Sequence, residues 1–320
     1  MPNIVMEIIS ARFQSEEDSR MGLDRREFFK IAAAGSTLLL SGKASATDEP
    51  QAIDCTQTYG VLVDTVVCIG CRKCEWACNT EHKLTDLPLN QYEDKSVFQT
   101  HRRPEHNAYT VVNQCDDPVH QKPFTIKVQC MHCNHPACAS ACIVGALRKE
   151  HNGPVSYDAW KCIGCRYCMV ACPFQVPAYE YAEALKPQVR KCTFCSERLA
   201  DGKKPACVSI CPNEALTFGT RQELIDLAKS RILAAPEKYA DYVYGVSEVG
   251  GTSWMYLAPT SFDHTELPKL SDEAIPPITE TIQHGIFKSF IPPLALYGVL
   301  GLVMHSMKDS SGEEDSHGQS

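Results

Sequence analysis

Three tryptophans and an aromatic share of 8% are little for a chain of 320 residues. Aromatic side chains carry much of the apolar area that a large core buries, so one broad oily interior is not what this composition builds. Basic charge is scarce too: 31 Lys and Arg stand against 39 Asp and Glu, a formal net charge of −8. No basic stripe or basic helix runs along the chain, which excludes a nucleic-acid-binding surface. No general base, nucleophile or substrate pocket is legible either, so nothing marks the chain as a catalyst in its own right. What it has in excess is cysteine, 18 residues in all.

Sixteen of the cysteines form four consecutive quartets: Cys68, Cys71, Cys74 and Cys78; Cys130, Cys133, Cys138 and Cys142; Cys162, Cys165, Cys168 and Cys172; and Cys192, Cys195, Cys207 and Cys211. Quartets one and three have the spacing C-x2-C-x2-C-x3-C, the run that wraps a cubane iron–sulfur cluster in bacterial ferredoxins. Quartets two and four stretch the middle gap and keep the opening C-x2-C and the closing C-x3-C. Three close cysteines on a tight loop cap three corners of a cubane, and the fourth points away to the cluster of a partner motif. Gly70 and Gly164 stand where such a loop must turn close to the cluster. Pro173 and Pro212 follow the last cysteine of quartets three and four, whereas Asn79 and Ile143 take that place in the other two. The spacing predicts four 4Fe-4S clusters with these sixteen cysteines as iron ligands, and a chain that moves electrons between them.

Two other chemistries use clustered cysteines. A zinc-binding structural or interaction protein presents two separated C-x2-C pairs, not three ligands within seven residues followed by a fourth. A disulfide framework suits a short secreted scaffold, and this chain is too long to need one. Each oxidised cubane with its thiolates adds roughly −2, so a loaded chain is still more acidic. The basic pairs Arg72-Lys73 and Arg190-Lys191 flank the quartets and are expected to offset local negative charge, with a partner contact as the alternative. Cys55 and Cys115 lack a second cysteine at ligand spacing and read as incidental thiols. His132 and His135 sit inside quartet two. A Rieske-type centre needs histidines in place of cysteines, and all four cysteines are present; the two histidines are expected to tune cluster polarity or to face solvent.

Both ends carry addresses. Leu23-Asp24-Arg25-Arg26-Glu27-Phe28-Phe29-Lys30, an apolar stretch from Ile31 to Leu40, and Ala44-Ser45-Ala46 read as a twin-arginine signal peptide over 1–46 with an A-x-A cleavage site. That route fits clusters inserted before export and places the chain on the periplasmic side of the membrane. Met21 is a second candidate start. Ser289 to Met304 is free of charge, and with Gly285 to Lys288 it is long enough at about 1.5 Å per residue to span a bilayer of roughly 30 Å. A transmembrane helix is expected over 285–304, with a buried or interfacial helix as the alternative, and a hydrophilic, acidic tail over 305–320.

At 320 residues with 44% hydrophobic content, two or three compact units are expected. Short strands are predicted at Tyr59 to Val67, Phe124 to Val128, Val155 to Tyr157 and Leu216 to Phe218. Short helices should begin near the last cysteine of each quartet, for example Cys142 to Leu147. This strand–loop–helix repeat predicts an α+β fold of two interlocked ferredoxin-like two-cluster domains. One is discontinuous, 59–129 with 188–220; the other is 130–187. Asn79 to Gln129 reads as a polar, irregular insertion with His101, Arg102, Arg103, Pro104 and His106, suited to partner docking. Arg221 to Leu233 has helical periodicity. Pro236 to Thr281 is expected to be an extended arm, so that 221–284 is a C-terminal extension of helix and arm ahead of the membrane segment.

The chain resembles the four-cluster electron-transfer subunits of the molybdopterin oxidoreductase and membrane-hydrogenase families, most of all the hydrogenase-2 type. The similarity lies in Gly164-Cys165-Arg166-Tyr167-Cys168-Met169-Val170-Ala171-Cys172-Pro173, Phe218-Gly219-Thr220-Arg221-Gln222-Glu223-Leu224 and Leu267-Pro268-Lys269-Leu270. The resemblance implies ligand exchange between quartets: Cys68, Cys71 and Cys74 with Cys211; Cys192, Cys195 and Cys207 with Cys78; Cys130, Cys133 and Cys138 with Cys172; and Cys162, Cys165 and Cys168 with Cys142. Some relatives have tryptophan for one cysteine of the third quartet; this chain keeps all four, which implies four cubanes. It further implies a catalytic oxidoreductase partner, a hydrogenase, and an integral membrane quinone-reactive subunit. A molybdenum enzyme or a multihaem cytochrome complex is the alternative partner.

Overall fold

A computed structural model describes residues 57–276 of the chain, together with Glu280, Tyr297, Gly298, Leu300 and Gly301. The export signal expected over 1–46, Cys55, the tail over 305–320 and all but those four residues of the membrane helix expected over 285–304 lie outside the described residues. Tyr297, Gly298, Leu300 and Gly301 are helical and exposed. Among the described residues no helix is long and apolar enough to cross a membrane.

In chain order the elements are β1 (Tyr59–Asp64), α1 (Lys73–Glu81), β2 (Thr110–Cys115), β3 (Phe124–Gln129), α2 (Ala137–Ser140), β4 (Leu147–Lys149), β5 (Val155–Tyr157), α3 (Tyr167–Ala171), β6 (Ala178–Tyr179), β7 (Val189–Arg190), α4 (Ser196–Ala200), α5 (Ala206–Ser209), β8 (Leu216–Thr220), α6 (Arg221–Ala234) and β9 (Trp254–Leu257). It is a mixed helix-and-strand fold in which every quartet lies between short elements.

Strand β1 is the centre of a three-stranded sheet of order β8-β1-β9. It pairs antiparallel with β8, Val63 opposite Leu216, and parallel with β9, Val61 opposite Trp254. Covered on both faces, it reads as an apolar run without alternation. Because β1 leads into quartet one and β8 leaves quartet four, this pairing draws the two quartets together. Helix α1 packs on α5, with Ala77, Cys195 and Ala206 buried between them. Quartets two and three meet in the same way, through α2 on α3 and the β4–β5 hairpin.

Three expectations need correction. No helix begins at Cys142: α2 starts at Ala137, behind Pro136, and ends before that cysteine. A turn through Gly145 (φ 62°) follows, and β4 begins at Leu147. Proline fixes φ in the helical range and lacks the amide that a helix start leaves unpaired, so the helix begins before the third cysteine, not at the fourth. The region 236–276 is no extended arm. Trp254, Met255, Tyr256 and Leu257 are all 0% exposed, because β9 inserts beside β1 and its side chains fill cores on both faces. The insertion at 79–129 is not irregular throughout either: β2 and β3 form a hairpin buried on both faces, Val112 on one and Val111 and Ile126 on the other. Helix α6 runs as its periodicity predicts, opened by a capping box in which Thr220 and Glu223 satisfy each other's backbone amides, with Leu224, Ile225, Ala228 and Ile232 buried.

Candidate iron–sulfur sites

In every quartet the third cysteine lies in the first turn of a short helix: Cys74 in α1, Cys138 in α2, Cys168 in α3 and Cys207 in α5. The fourth follows four residues later, about one helical turn on. The loops before these helices are wound through left-handed backbone. Gly70 (φ 64°) and Arg72 (φ 57°) provide it in quartet one, Gly164 (φ 69°) and Arg166 (φ 61°) in quartet three, His132 in quartet two, and Phe194 and Cys195 in quartet four. Such alternation turns backbone amides inward and makes a concavity for anionic groups. A side chain at Gly70 would place its Cβ 2.8 Å from Thr125 Cγ2, so only glycine fits.

The sulfurs are met by donors. The amide of Gly164 donates to Cys162 Sγ at 3.4 Å, that of Phe194 to Cys192 Sγ at 3.4 Å and that of Ala146 to Cys142 Sγ at 3.2 Å. The Thr125 hydroxyl donates to Cys68 Sγ at 3.2 Å. Donors of this kind favour the thiolate, the form that binds metal.

The thiols gather across quartets. Cys68, Cys71, Cys74 and Cys211 line one cavity. Burial, and then Cys192, Cys207 and Cys195, push the Cys78 thiol well up. Burial and then Cys130, Cys172 and Cys138 do the same to Cys133. Cys168 is raised to about 11 by burial and then by Cys162, Cys142 and Cys165. Each set of neighbours combines three cysteines of one quartet with the last of another. Buried thiols that raise one another's pKa cannot stand together as bare thiolates, and a cationic metal core resolves that conflict. Among the described residues no group of three or more His, Cys, Asp or Glu side chains is placed to hold a single metal ion. Cys115 stands apart, in β2 opposite Phe124, buried in the core and raised to about 11 mainly by burial.

The basic pairs meet the sequence expectation in part: the charge of Lys191 favours the Cys138 thiolate, as expected. Arg72 lines the cavity of the first thiol set, but its guanidinium is engaged elsewhere: it donates to Glu75 at 2.9 Å and to the carbonyls of Tyr92 and Asp94. Arg102 joins the same buried carboxylate at 2.7 Å, and the Val112 amide donates to it. This clamp ties the 79–129 segment to the helix that carries Cys74 and Cys78. Arg190 pairs with Glu180 at 2.7 Å. Lys191 is buried and donates to the carbonyls of Val155 and Cys192. The two histidines part company. His135 is exposed, whereas His132 is 0% exposed, accepts from the Val155 amide at 2.8 Å and is held neutral by burial and then by Lys191 and Lys149.

Lys127 escaped the sequence reading. It lies on β3 two residues from Thr125, is 2% exposed and lines the cavity of Cys68, Cys71, Cys74 and Cys211. Burial alone would lower its pKa, yet Cys207, Cys74, Cys192 and Cys78 outweigh it and hold the ammonium above its ordinary value. The signal was present as alternation: in Phe124–Gln129, Lys127 shares a face with Thr125, whose hydroxyl reaches Cys68.

Comparison with known proteins bears on the same residues. A family model described as a 4Fe-4S dicluster domain matches residues 122–221, which hold quartets two, three and four. A protein of Nitratidesulfovibrio vulgaris strain Hildenborough is 48% identical over 76% of this chain and 66% of its own length. The hydrogenase-2 operon protein HybA of Escherichia coli O157:H7 is 34% identical over 90% of this chain and 97% of its own. The chain belongs to the iron–sulfur electron-transfer subunits of the hydrogenase and formate dehydrogenase type. The formate dehydrogenase-O iron–sulfur subunit of E. coli K12, 33% identical over 79% of this chain and 82% of its own, is a further relative. Membership makes 4Fe-4S clusters the cofactors of these sites, and the zinc alternative falls.

Proposed function

We propose that this electron-transfer subunit relays electrons through four 4Fe-4S clusters between a periplasmic catalytic subunit, a nickel–iron hydrogenase, and an integral membrane subunit that reacts with quinone. The observation that carries the reading is the gathering of sixteen thiols into four mixed sets: Cys68, Cys71, Cys74 and Cys211; Cys78, Cys192, Cys195 and Cys207; Cys130, Cys133, Cys138 and Cys172; Cys142, Cys162, Cys165 and Cys168. These sets are assigned as the iron ligands, in two interlocked ferredoxin-like domains. Bound there, the clusters supply one-electron steps in series. The chain's own residues hold them in place, donate to their sulfurs and exclude water.

One set reaches the surface. Cys165 is the exposed member of its set, and close in sequence to cysteines of that set Trp160 is 94% exposed, Val170 83%, Ile143 76% and Ile163 63%. Large apolar side chains left exposed favour a protein contact, and here they would place a partner's redox centre beside the fourth set. Export by the twin-arginine route and anchoring by a single helix over 285–304 belong to the same proposal, supported by the Arg25-Arg26 motif and the charge-free stretch.

A molybdopterin partner is the second reading, favoured by the formate dehydrogenase relatives; a multihaem cytochrome complex is a third. Purifying the native complex from membranes and assaying nickel, molybdenum and haem decides between them. Nickel without molybdenum supports the hydrogenase reading, molybdenum without nickel refutes it in favour of the second, and abundant covalently bound haem without either metal points to the third.

A further inference from the structure

We propose that Lys127 is a fixed positive charge shared by two cluster sites, those of Cys68, Cys71, Cys74 and Cys211 and of Cys78, Cys192, Cys195 and Cys207, and that it keeps both of their reduction potentials high. The inference rests on the assignment of those thiol sets above and adds a residue that is not a ligand.

The geometry points to this role in three ways. Lys127 lines the cavity of the first set, and the thiols whose charge it feels, Cys74 on one side and Cys78, Cys192 and Cys207 on the other, belong to both sets. It forms no ion pair with a carboxylate among the described residues, although it is 2% exposed. An ammonium buried without a counter-ion is strongly unfavourable, so its negative partners are the sulfurs of the two sites.

Its position is also locked. Nζ donates to Gln129 Oε1 at 2.8 Å and lies 4.4 Å from the centre of the Trp254 ring. Gln129 Nε2 donates to the Tyr256 hydroxyl at 2.6 Å, which in turn donates to the Lys127 carbonyl at 2.9 Å. The closed loop of bonds leaves the side chain no room to swing towards solvent. Strand β9 supplies both Trp254 and Tyr256, so one task of the C-terminal extension is to hold this charge between the sites.

Reduction adds one negative charge to a cluster, and a fixed cation beside it favours the reduced form. The set around Cys168, whose electrostatic neighbours are Cys162, Cys142 and Cys165, is the internal reference. The test is a potentiometric titration, followed by electron paramagnetic resonance, of the full chain carrying Lys127→Met, Lys127→Gln or Lys127→Arg. In the neutral variants two of the four potentials should fall, by about tenfold in the reduction equilibrium constant or about 59 mV for one electron. The other two should move by less than about a third of that, and Lys127→Arg should leave all four near their native values. Four unchanged potentials in a loaded neutral variant, or four that shift alike, overturn the proposal. If both neutral variants lose iron and sulfide while Lys127→Arg keeps them, charge alone separates the three and the proposal stands; loss from all three makes Lys127 a packing residue and overturns it. Native protein without iron and sulfide would instead defeat the thiol assignment, before any variant is compared.

Discussion

Replacing Cys211 by alanine should empty a site whose other three ligands lie far earlier in the chain. Cys211 closes quartet four, yet it lines the cavity of Cys68, Cys71 and Cys74. Loss of one cubane in four lowers iron and acid-labile sulfide by about a quarter, from about sixteen to about twelve atoms of each per chain. The sharper reading comes from pairs of substitutions, since changes that strike one unit do not add and changes that strike separate units do. Cys68→Ala with Cys211→Ala should lose no more iron than Cys211→Ala alone. Cys192→Ala with Cys211→Ala should lose about half, although both residues belong to the same quartet in sequence, because Cys192 neighbours Cys78. The assay is iron and sulfide per chain in anaerobically purified protein, with spin quantitation after reduction. If the Cys68–Cys211 pair loses twice what the single variant loses and the Cys192–Cys211 pair does not, each quartet holds its own cluster and the exchange between quartets is refuted.

Glu75→Gln breaks the buried carboxylate clamp with Arg72, Arg102 and the Val112 amide; a loss of about 3–5 kcal/mol is expected in anaerobic urea unfolding, and a loss below about 1 kcal/mol contradicts the clamp. Trp254→Ala, at a residue 0% exposed, should cost about 3–5 kcal/mol, whereas an arm outside the core would leave stability unchanged. Trp160→Ala, at a residue 94% exposed, should alter stability by no more than about 0.5 kcal/mol while weakening recovery of the membrane complex; undiminished recovery removes this face from the partner contact. With the metal stripped, burial holds Cys138 and Cys192 to about 12, against an ordinary value of 9.0. The folded chain therefore binds more protons than the unfolded one between those values, and its stability falls as pH rises from about 9 towards 12; a urea midpoint that climbs from pH 8 to pH 10 under reductant contradicts this.

The quartets and the strands that lead into them were legible because their signals are local: Val155–Tyr157 is a strand where an apolar triplet precedes quartet three, and α6 follows its periodicity and its Thr220–Glu223 box. The helix starts were misplaced although a signal for two of them is written in the chain: Pro-Ala-Cys recurs at 136–138 and 205–207, and the proline, not the last cysteine, opens each helix. Strand β9 was hidden for a different reason. Four apolar residues behind Gly250-Gly251-Thr252-Ser253 look like part of a polar linker, and only their pairing with β1, nearly two hundred residues earlier, makes them the best-buried segment. Lys127 was missed because charge in a strand reads as an exposed face, and nothing local tells that the face is roofed by Trp254.

Everything turns on whether the four thiol sets hold cubanes. Iron and acid-labile sulfide measured on the anaerobically purified full chain, together with the resonance spectrum after reduction, answer this most directly. The account predicts about sixteen of each atom per chain and magnetic interaction between neighbouring clusters. Colourless protein that holds zinc, or iron without sulfide, would contradict it.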